Sequence, residues 1–379
     1  MSAAIDELFV RDPHLRRVAE KVEAGERLGL DDGLVCLKTP DLFGLGRIAD
    51  RAKRRKTGDT VLYVLNRQLN PTNLCVLSCK FCDFAAKQGD DHAYEMTMEQ
   101  ILAHGGEDID EVHIVGGLHP KWKFDDYVDI VRKLHEAYPD LLIKAWTAVE
   151  IDWFTKIAKI GLEEVFTVLK EAGMVAMPGG GAEVFSDRIR KELYHNKMGH
   201  ERWFEIHRVA HGMGIRSNCT LLFGHIETLE ERIRHMIQVR ELQDETGGFF
   251  SFIPLEYQLG TTMLVDRPTS ADDGLRTIAA SRLMLDNFDH VKAYWVMLGE
   301  ETASVALNFG ADDIDGTIDE EKIAHYALAP SPVGLTQKRI LKLIREAGKV
   351  PARRDALYNV LEVHDQDTHD ARAHSVPQL

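Results

Sequence analysis

From residue 61 onward, short apolar runs alternate with amphipathic helical patterns, a rhythm that few folds accommodate. The runs Val61–Leu65, Val112–Val115, Leu141–Trp146, Met174–Met177, Ser217–Leu222, Phe249–Ile253, Val291–Val296 and, more weakly, Asp312–Ile314 predict strands. Helical patterns lie between them. In Phe124–Tyr138, for example, Phe124, Tyr127, Val128, Val131 and Leu134 share one stripe, Asp125 and Asp126 suit the first turn, and Pro139 ends the helix. Seven or eight βα units before about residue 317 predict an α/β fold, a (β/α)8 TIM-like barrel that is complete or nearly so. A doubly wound sheet is the other arrangement, because periodicity does not reveal closure.

Residues 1–60 read as a helical extension, with Leu8, Leu15, Val18 and Val22 at helical spacing and a start signal at Thr39-Pro40-Asp41. Residues 61–330 form the barrel, and 331–379 a C-terminal helix (Thr336–Ala347) with a polar, mobile tail.

Composition excludes several classes. A net charge of −15 over 379 residues argues against general affinity for nucleic acid or anionic membrane. The one basic run, Arg51–Lys56, reads as a solvated helix face. No apolar stretch is long enough to span a membrane, and the N-terminus lacks the regions of a signal peptide. Five cysteines, three of them crowded together, suit a reducing cytoplasm better than a disulfide framework.

The crowded three are Cys75, Cys79 and Cys82, in a Cys-x3-Cys-x2-Cys spacing on the loop after the first strand. Three soft thiolates on one short loop can hold three corners of a cubane iron–sulfur cluster, leaving a fourth iron open. A structural zinc site would need a fourth ligand, from His92 or a distant cysteine; Cys36 and Cys219 are isolated. Phe81 and Phe84 flank Cys82 and would shield such a cluster. Other loops that follow strands are rich in glycine and polar residues: Gly116–Pro120, Pro178–Glu183, Gly224–Thr228 and Gly310–Asp313. In a barrel, that rim carries the chemistry. The three consecutive glycines Gly179, Gly180 and Gly181 suggest close backbone approach to a ligand, with a flexible turn as the plain alternative.

The cysteine spacing, its place after the first strand and the aromatic Phe81 resemble the radical S-adenosylmethionine superfamily. That resemblance implies a [4Fe-4S] cluster on Cys75, Cys79 and Cys82 whose open iron chelates S-adenosylmethionine. It also implies that Gly116 and Gly117 meet the methionine amino group, and that an electron donor such as flavodoxin or ferredoxin reduces the cluster. Phe81, Gly179, Gly180 and Glu183 would line the cofactor. Glu150 or Asn218 could hold ribose hydroxyls, and Arg188 or Arg190 the methionine carboxylate.

The loops Gly116–Pro120, Pro178–Glu183, Gly224–Thr228 and Leu242–Phe249 look like the futalosine and deazaflavin-cofactor branch. His290–Gly299 and Asp313–Ile318 look like its aminofutalosine synthase family. The reaction implied there is addition of the 5'-deoxyadenosyl radical to the double bond of 3-[(1-carboxyvinyl)oxy]benzoate. Carbon dioxide is lost, 6-amino-6-deoxyfutalosine forms for menaquinone biosynthesis, and S-adenosylmethionine is consumed. His119, Lys292 and Arg282 are the candidates for the substrate carboxylates, His225 for proton donor or anchor, and Tyr294, with Trp295, for an aromatic wall. The sister cyclase, acting on dehypoxanthine futalosine by hydrogen abstraction, and a non-catalytic zinc-binding module are the alternatives. One departure stands out: after Phe252–Leu255 the branch suggests a His-Pro-x-Asn-Thr sequence, but this chain has Glu256-Tyr257-Gln258-Leu259-Gly260-Thr261-Thr262. Cys219 also replaces the usual alanine.

Overall fold

Strands β1 (Thr60–Val64) and β2 (Asn66–Leu69) are two halves of one run that belongs to two sheets. The computed structural model describes residues 8–319 and 321–364. β2 opens a seven-stranded parallel sheet with β3 (Glu111–Ile114), β4 (Leu142–Ala145), β5 (Met174–Met177), β6 (Arg216–Phe223), β7 (Phe249–Glu256) and β8 (His290–Val291), in that order. β1 pairs in parallel with β9 (Asp313–Gly316), and a single parallel bridge, Lys292 to Asp313, joins β8 to β9. Counting β1 and β2 as one, eight parallel strands ring the axis as the βα rhythm predicts, with helices outside.

Most strands lie where the apolar runs put them, but β2 follows the run Val61–Leu65 instead of coinciding with it, and one run departs from the sheet. The run Val291–Val296 leaves the sheet after two residues, and Trp295–Leu298 forms a short helix. Trp295 is buried and donates through Nε1 to the Gly316 carbonyl at 2.9 Å. A buried apolar run is compatible with either state, so periodicity alone could not separate them.

The three helices Pro13–Ala24, Leu30–Lys38 and Leu42–Thr57 form the N-terminal extension. The last two pack against the barrel helices Leu229–Thr246 and Ala271–Met284. Asp41, not Thr39, caps the third: its side chain accepts from Gly44 N at 2.9 Å, while the Thr39 hydroxyl donates to Asp12 at 2.7 Å. In the basic run Arg54, Arg55 and Lys56 are exposed and Arg51 half-buried, whereas Lys53 is buried and donates to the Gly58 and Thr60 carbonyls, both at 2.8 Å.

The expected tail is a structural element as far as residue 364. After the helix Gln337–Glu346, β10 (Val350–Arg354) pairs in parallel with β1, and β11 (Val360–Val363) returns antiparallel to β10. β10 brings Arg354 into the barrel, where it meets Asp313 at 2.9 Å and Glu111 at 3.6 Å. Lys144 meets Glu111 at 2.7 Å, and all four groups are buried. The pore beneath the active rim is therefore filled by paired charges, not by an aliphatic layer. Residues 365–379 lie outside the described residues.

Candidate active site

The loop between β2 and the helix Met98–Leu102 is shaped by its own backbone before any ligand is considered. Cys75 N donates to Ala86 O at 3.0 Å, Ala86 N to Asn73 O at 2.8 Å and Val76 N to Leu118 O at 2.9 Å. Lys87 bends back so that its ammonium donates to the carbonyls of Cys75 (2.7 Å) and Leu77 (2.6 Å). The three cysteines are half-buried, unpaired thiols, and all three line one cavity of about 330 Å3 at the strand ends. Burial pushes the Cys79 thiol up to about 12 and the Cys82 thiol up to about 11, with Lys197 opposing in both cases. Among the described residues, no three His, Cys, Asp or Glu side chains converge tightly enough for one metal ion. Three thiols lining one cavity are a donor set in which each thiolate could take its own iron of a cubane.

Two glycines explain how the loops come so close. A Cβ on Gly117 would strike the backbone of Leu74 in the cysteine loop, and one on Gly179 would lie about 2.6 Å from the backbone of Asn218 and Cys219. Gly117 thus supports the cysteine loop from beneath, whereas Gly116, Gly179 and Gly180 face the cavity. Glu150 lines it too, accepting from Gly116 N (2.9 Å), Thr147 N (2.8 Å) and the Thr147 hydroxyl. Burial raises its pKa against these hydrogen bonds.

Glu183 holds a left-handed backbone (φ 47°) and forms a buried ion pair with Lys197. Lys197 is fixed from behind, since Arg190 donates to its carbonyl at 2.9 Å, and its ammonium lies 5.8 Å from the Phe81 ring. The structure thus gathers Cys75, Cys79, Cys82, Phe81, Phe84, Gly116, Glu150, Gly179, Gly180, Glu183 and Tyr294 around one cavity. The donor set fits an iron–sulfur cluster: three thiols, backbone-lined walls and a neighbouring ammonium.

The other candidates point elsewhere. Arg282 is buried outside the strand ring, bound to Asp312 (2.6 Å) and the Gly310 carbonyl (2.8 Å). Lys292 pairs with Asp315 at 3.1 Å, so only Asp315 reaches the cavity wall. His119 stacks on Trp122 and accepts through Nδ1 from Lys121 N and Trp122 N, with Nε2 3.3 Å from Glu95. His225 is buried against the Leu222 carbonyl (3.1 Å) and Glu227 (3.2 Å). Arg188 is an exposed partner of Glu231, and Asn218 is buried and accepts from Ser251 Oγ at 3.2 Å. None of these six lines the cavity, and their expected ligand contacts are corrected accordingly. Arg282, Lys292, Arg188 and Asn218 are taken by partners on other elements, and the two histidines chiefly by groups of their own loops.

Sequence reading missed Lys197, Gln68, His113, Glu256 and Glu321 in the cavity wall. Lys197 carried no periodic signal. Glu256 was marked only as the first residue of the divergent segment after β7. That segment folds over the cavity: Tyr257 and Gln258 line it, and Thr261 is tied to Asp83 of the cysteine loop.

Comparison with known proteins gives the same direction. The Radical SAM superfamily model matches residues 69–239, and the CofH/MqnC C-terminal region model matches residues 246–367. Aminodeoxyfutalosine synthase of Thermus thermophilus is 45% identical over 366 residues, covering 94% of this chain and 98% of that protein. The Streptomyces coelicolor aminodeoxyfutalosine synthase is 40% identical, covering 92% and 95%. Among solved structures, methylornithine synthase superposes with a TM-score of 0.70 at 19% identity, over 89% of this chain and 97% of that one, a likeness of fold. No helix among the described residues is long and apolar enough to cross a membrane. With its cysteine loop on the rim of an eight-strand ring and near full-length similarity to these relatives, the chain belongs to the radical S-adenosylmethionine superfamily and, within it, to the aminodeoxyfutalosine synthase family.

Proposed function

We propose that this cytoplasmic enzyme makes 6-amino-6-deoxyfutalosine for menaquinone biosynthesis. It would join the adenosyl group of S-adenosylmethionine to the double bond of 3-[(1-carboxyvinyl)oxy]benzoate, with loss of carbon dioxide and release of methionine. The observation that carries this reading is one cavity that has three thiols on one wall and an apolar bay on the other.

Cys75, Cys79 and Cys82 would hold a [4Fe-4S] cluster that, when bound, supplies the electron for sulfonium cleavage and keeps one iron open for S-adenosylmethionine. The chain's own residues do the rest. Lys197 offsets negative charge beside Cys79 and Cys82 and would be the cavity's cation available to a methionine carboxylate. Gly116, Gly179 and Gly180 give a ligand direct access to backbone, and Phe81 covers the cysteine loop. Across the cavity, Leu222, Ile253, Leu255, Tyr294 and Met297 form the apolar bay where an arene ring would bury. Glu256, Tyr257, Gln258, Ala324 and Ala327 line the cavity beside this bay and would limit the entry of water. A flavodoxin or ferredoxin would serve as reductant.

Protein reconstituted anaerobically should form the adenine-containing product only with S-adenosylmethionine, reductant and the enolpyruvyl benzoate together. Release of 5'-deoxyadenosine as the sole nucleoside from that substrate would refute addition.

A further inference from the structure

The cavity wall carries six carboxylates, Asp83, Glu150, Glu183, Glu256, Asp315 and Glu321, and among the described residues a single cation, Lys197. A dianionic substrate must enter that negative surface. Five of the acids are already engaged. Asp83 accepts from Thr261, Glu150 from Thr147 and Gly116, and Glu183 pairs with Lys197. Asp315 pairs with Lys292 at 3.1 Å, and Glu321 accepts from Ile323 N and Ala324 N.

Glu256 differs. Its carboxyl has no hydrogen-bond or ion-pair partner among the described residues. It sits at the end of β7, with Oε2 against Gly274 in the first turn of helix Ala271–Met284. The charged group acting on it is Asp273, which raises its pKa and is itself paired with Arg232 (2.8 Å). Tyr257 and Tyr294 line the same cavity. Burial, with Asp273 adding to it, pushes the carboxyl up to about 8. An acid kept protonated in an apolar wall is a hydrogen-bond donor.

We propose that Glu256 is the residue through which the cavity recognises a carboxylate of its substrate, giving it a carboxylic-acid hydrogen bond in place of an ammonium or guanidinium partner. This rests on the dicarboxylate substrate proposed above. It accounts for the absence of a free cation in the bay, because Arg282, Lys292 and Arg188 are all paired elsewhere. It also gives the divergent segment that begins at Glu256 a task in specificity.

The test is calorimetric titration of the anaerobically reconstituted holoenzyme with 3-(carboxymethoxy)benzoate, an unreactive dicarboxylate, from about pH 6 to about pH 9.5. Wild-type affinity should fall by about tenfold per pH unit once Glu256 ionises. Glu256→Gln, which keeps a donor without a charge, should bind at pH 7 within about threefold of wild type and hold that affinity at high pH. Glu256→Leu should bind about tenfold or more weakly, with iron content and melting temperature showing that it folds. Equal pH dependence in wild type and Glu256→Gln, undiminished binding by Glu256→Leu, or no binding by wild type would each overturn the proposal. The two readings separate. Dicarboxylate binding without adduct formation contradicts the activity alone, and adduct formation by Glu256→Leu at unchanged KM contradicts the role of Glu256 alone.

Discussion

Asp83, the residue after the last cysteine of the loop, accepts hydrogen bonds from Thr261 through both its backbone N–H (3.1 and 3.2 Å to the two oxygens) and its hydroxyl. The cysteine loop is thereby clasped to the segment after β7 that covers the substrate side. Gly260 permits the contact, with a φ of 50° and no room for a side chain beside Asp83. Asp83→Ala should release the cover. Hydrogen bonds to a charged group contribute about 1.5–3 kcal/mol each, so KM for the acidic substrate should rise about tenfold or more. Iron content per chain should stay at the wild-type level. Unchanged KM would show that the clasp does not hold the cover.

Cys75→Ala, Cys79→Ala and Cys82→Ala should each lose the iron–sulfur absorption on reconstitution, and turnover with it. Cys36 is fully buried far along the chain in helix Leu30–Lys38, so Cys36→Ala should keep the cluster and lose only some thermal stability. Iron and sulfide analysis of the four variants decides the matter. Full cluster content in the position-79 variant would contradict the assignment.

Lys197 is the buried cation paired with Glu183 beside the cysteines. Lys197→Met removes one positive charge from a low-dielectric site and leaves Glu183 unpaired. The cluster should become harder to reduce, and KM for S-adenosylmethionine should rise. An electron paramagnetic resonance redox titration reads the first effect directly. A potential equal to that of wild type would remove Lys197 from the electrostatics of the site.

Below the cavity, Glu111 faces Lys144 at 2.7 Å and Arg354 at 3.6 Å. Burial alone would raise its pKa, but Lys144 and Arg354 hold it down at about 2. A carboxylate with a depressed folded pKa stabilises the fold above its unfolded value and loses that contribution as pH falls toward the folded value. Its share of stability should therefore be present at neutral pH and vanish between about pH 4.5 and about pH 2. Glu111→Gln should cost about 3–5 kcal/mol at pH 7, because it leaves the buried Lys144 without its carboxylate partner, and much less near the acid end. Denaturant melts at the two pH values check the sign.

Much of the frame was visible in the sequence, because most barrel strands are apolar runs flanked by amphipathic helices, whereas β2 and β9 are mostly polar. Val350–Arg354 escaped notice for the opposite reason: a proline and two arginines make it read as polar surface, yet Arg354 is fully buried against Asp313. Its partners lie 41 and 243 residues earlier in the chain, beyond any local pattern. The cysteines and glycine loops were legible because their chemistry depends on residue type and local spacing. The cations were not. Whether Arg282 or Lys292 faces the cavity depends on which side of a strand or helix it leaves from, and a shift of one residue reverses that. Glu256 could be flagged only as a departure from the expected segment, since its solitude depends on Gly274 and Asp273 arriving from the next helix.

The central claim is that the adenosyl carbon becomes part of the product. S-adenosylmethionine carrying deuterium at both C5' positions, turned over with the enolpyruvyl benzoate and a chemical reductant, tests this most directly by mass spectrometry. The account predicts one nucleoside product that retains adenine and both deuterium atoms, formed in equal amount with methionine. A 5'-deoxyadenosine that has gained a hydrogen from the substrate, with no deuterium in any larger product, would contradict it.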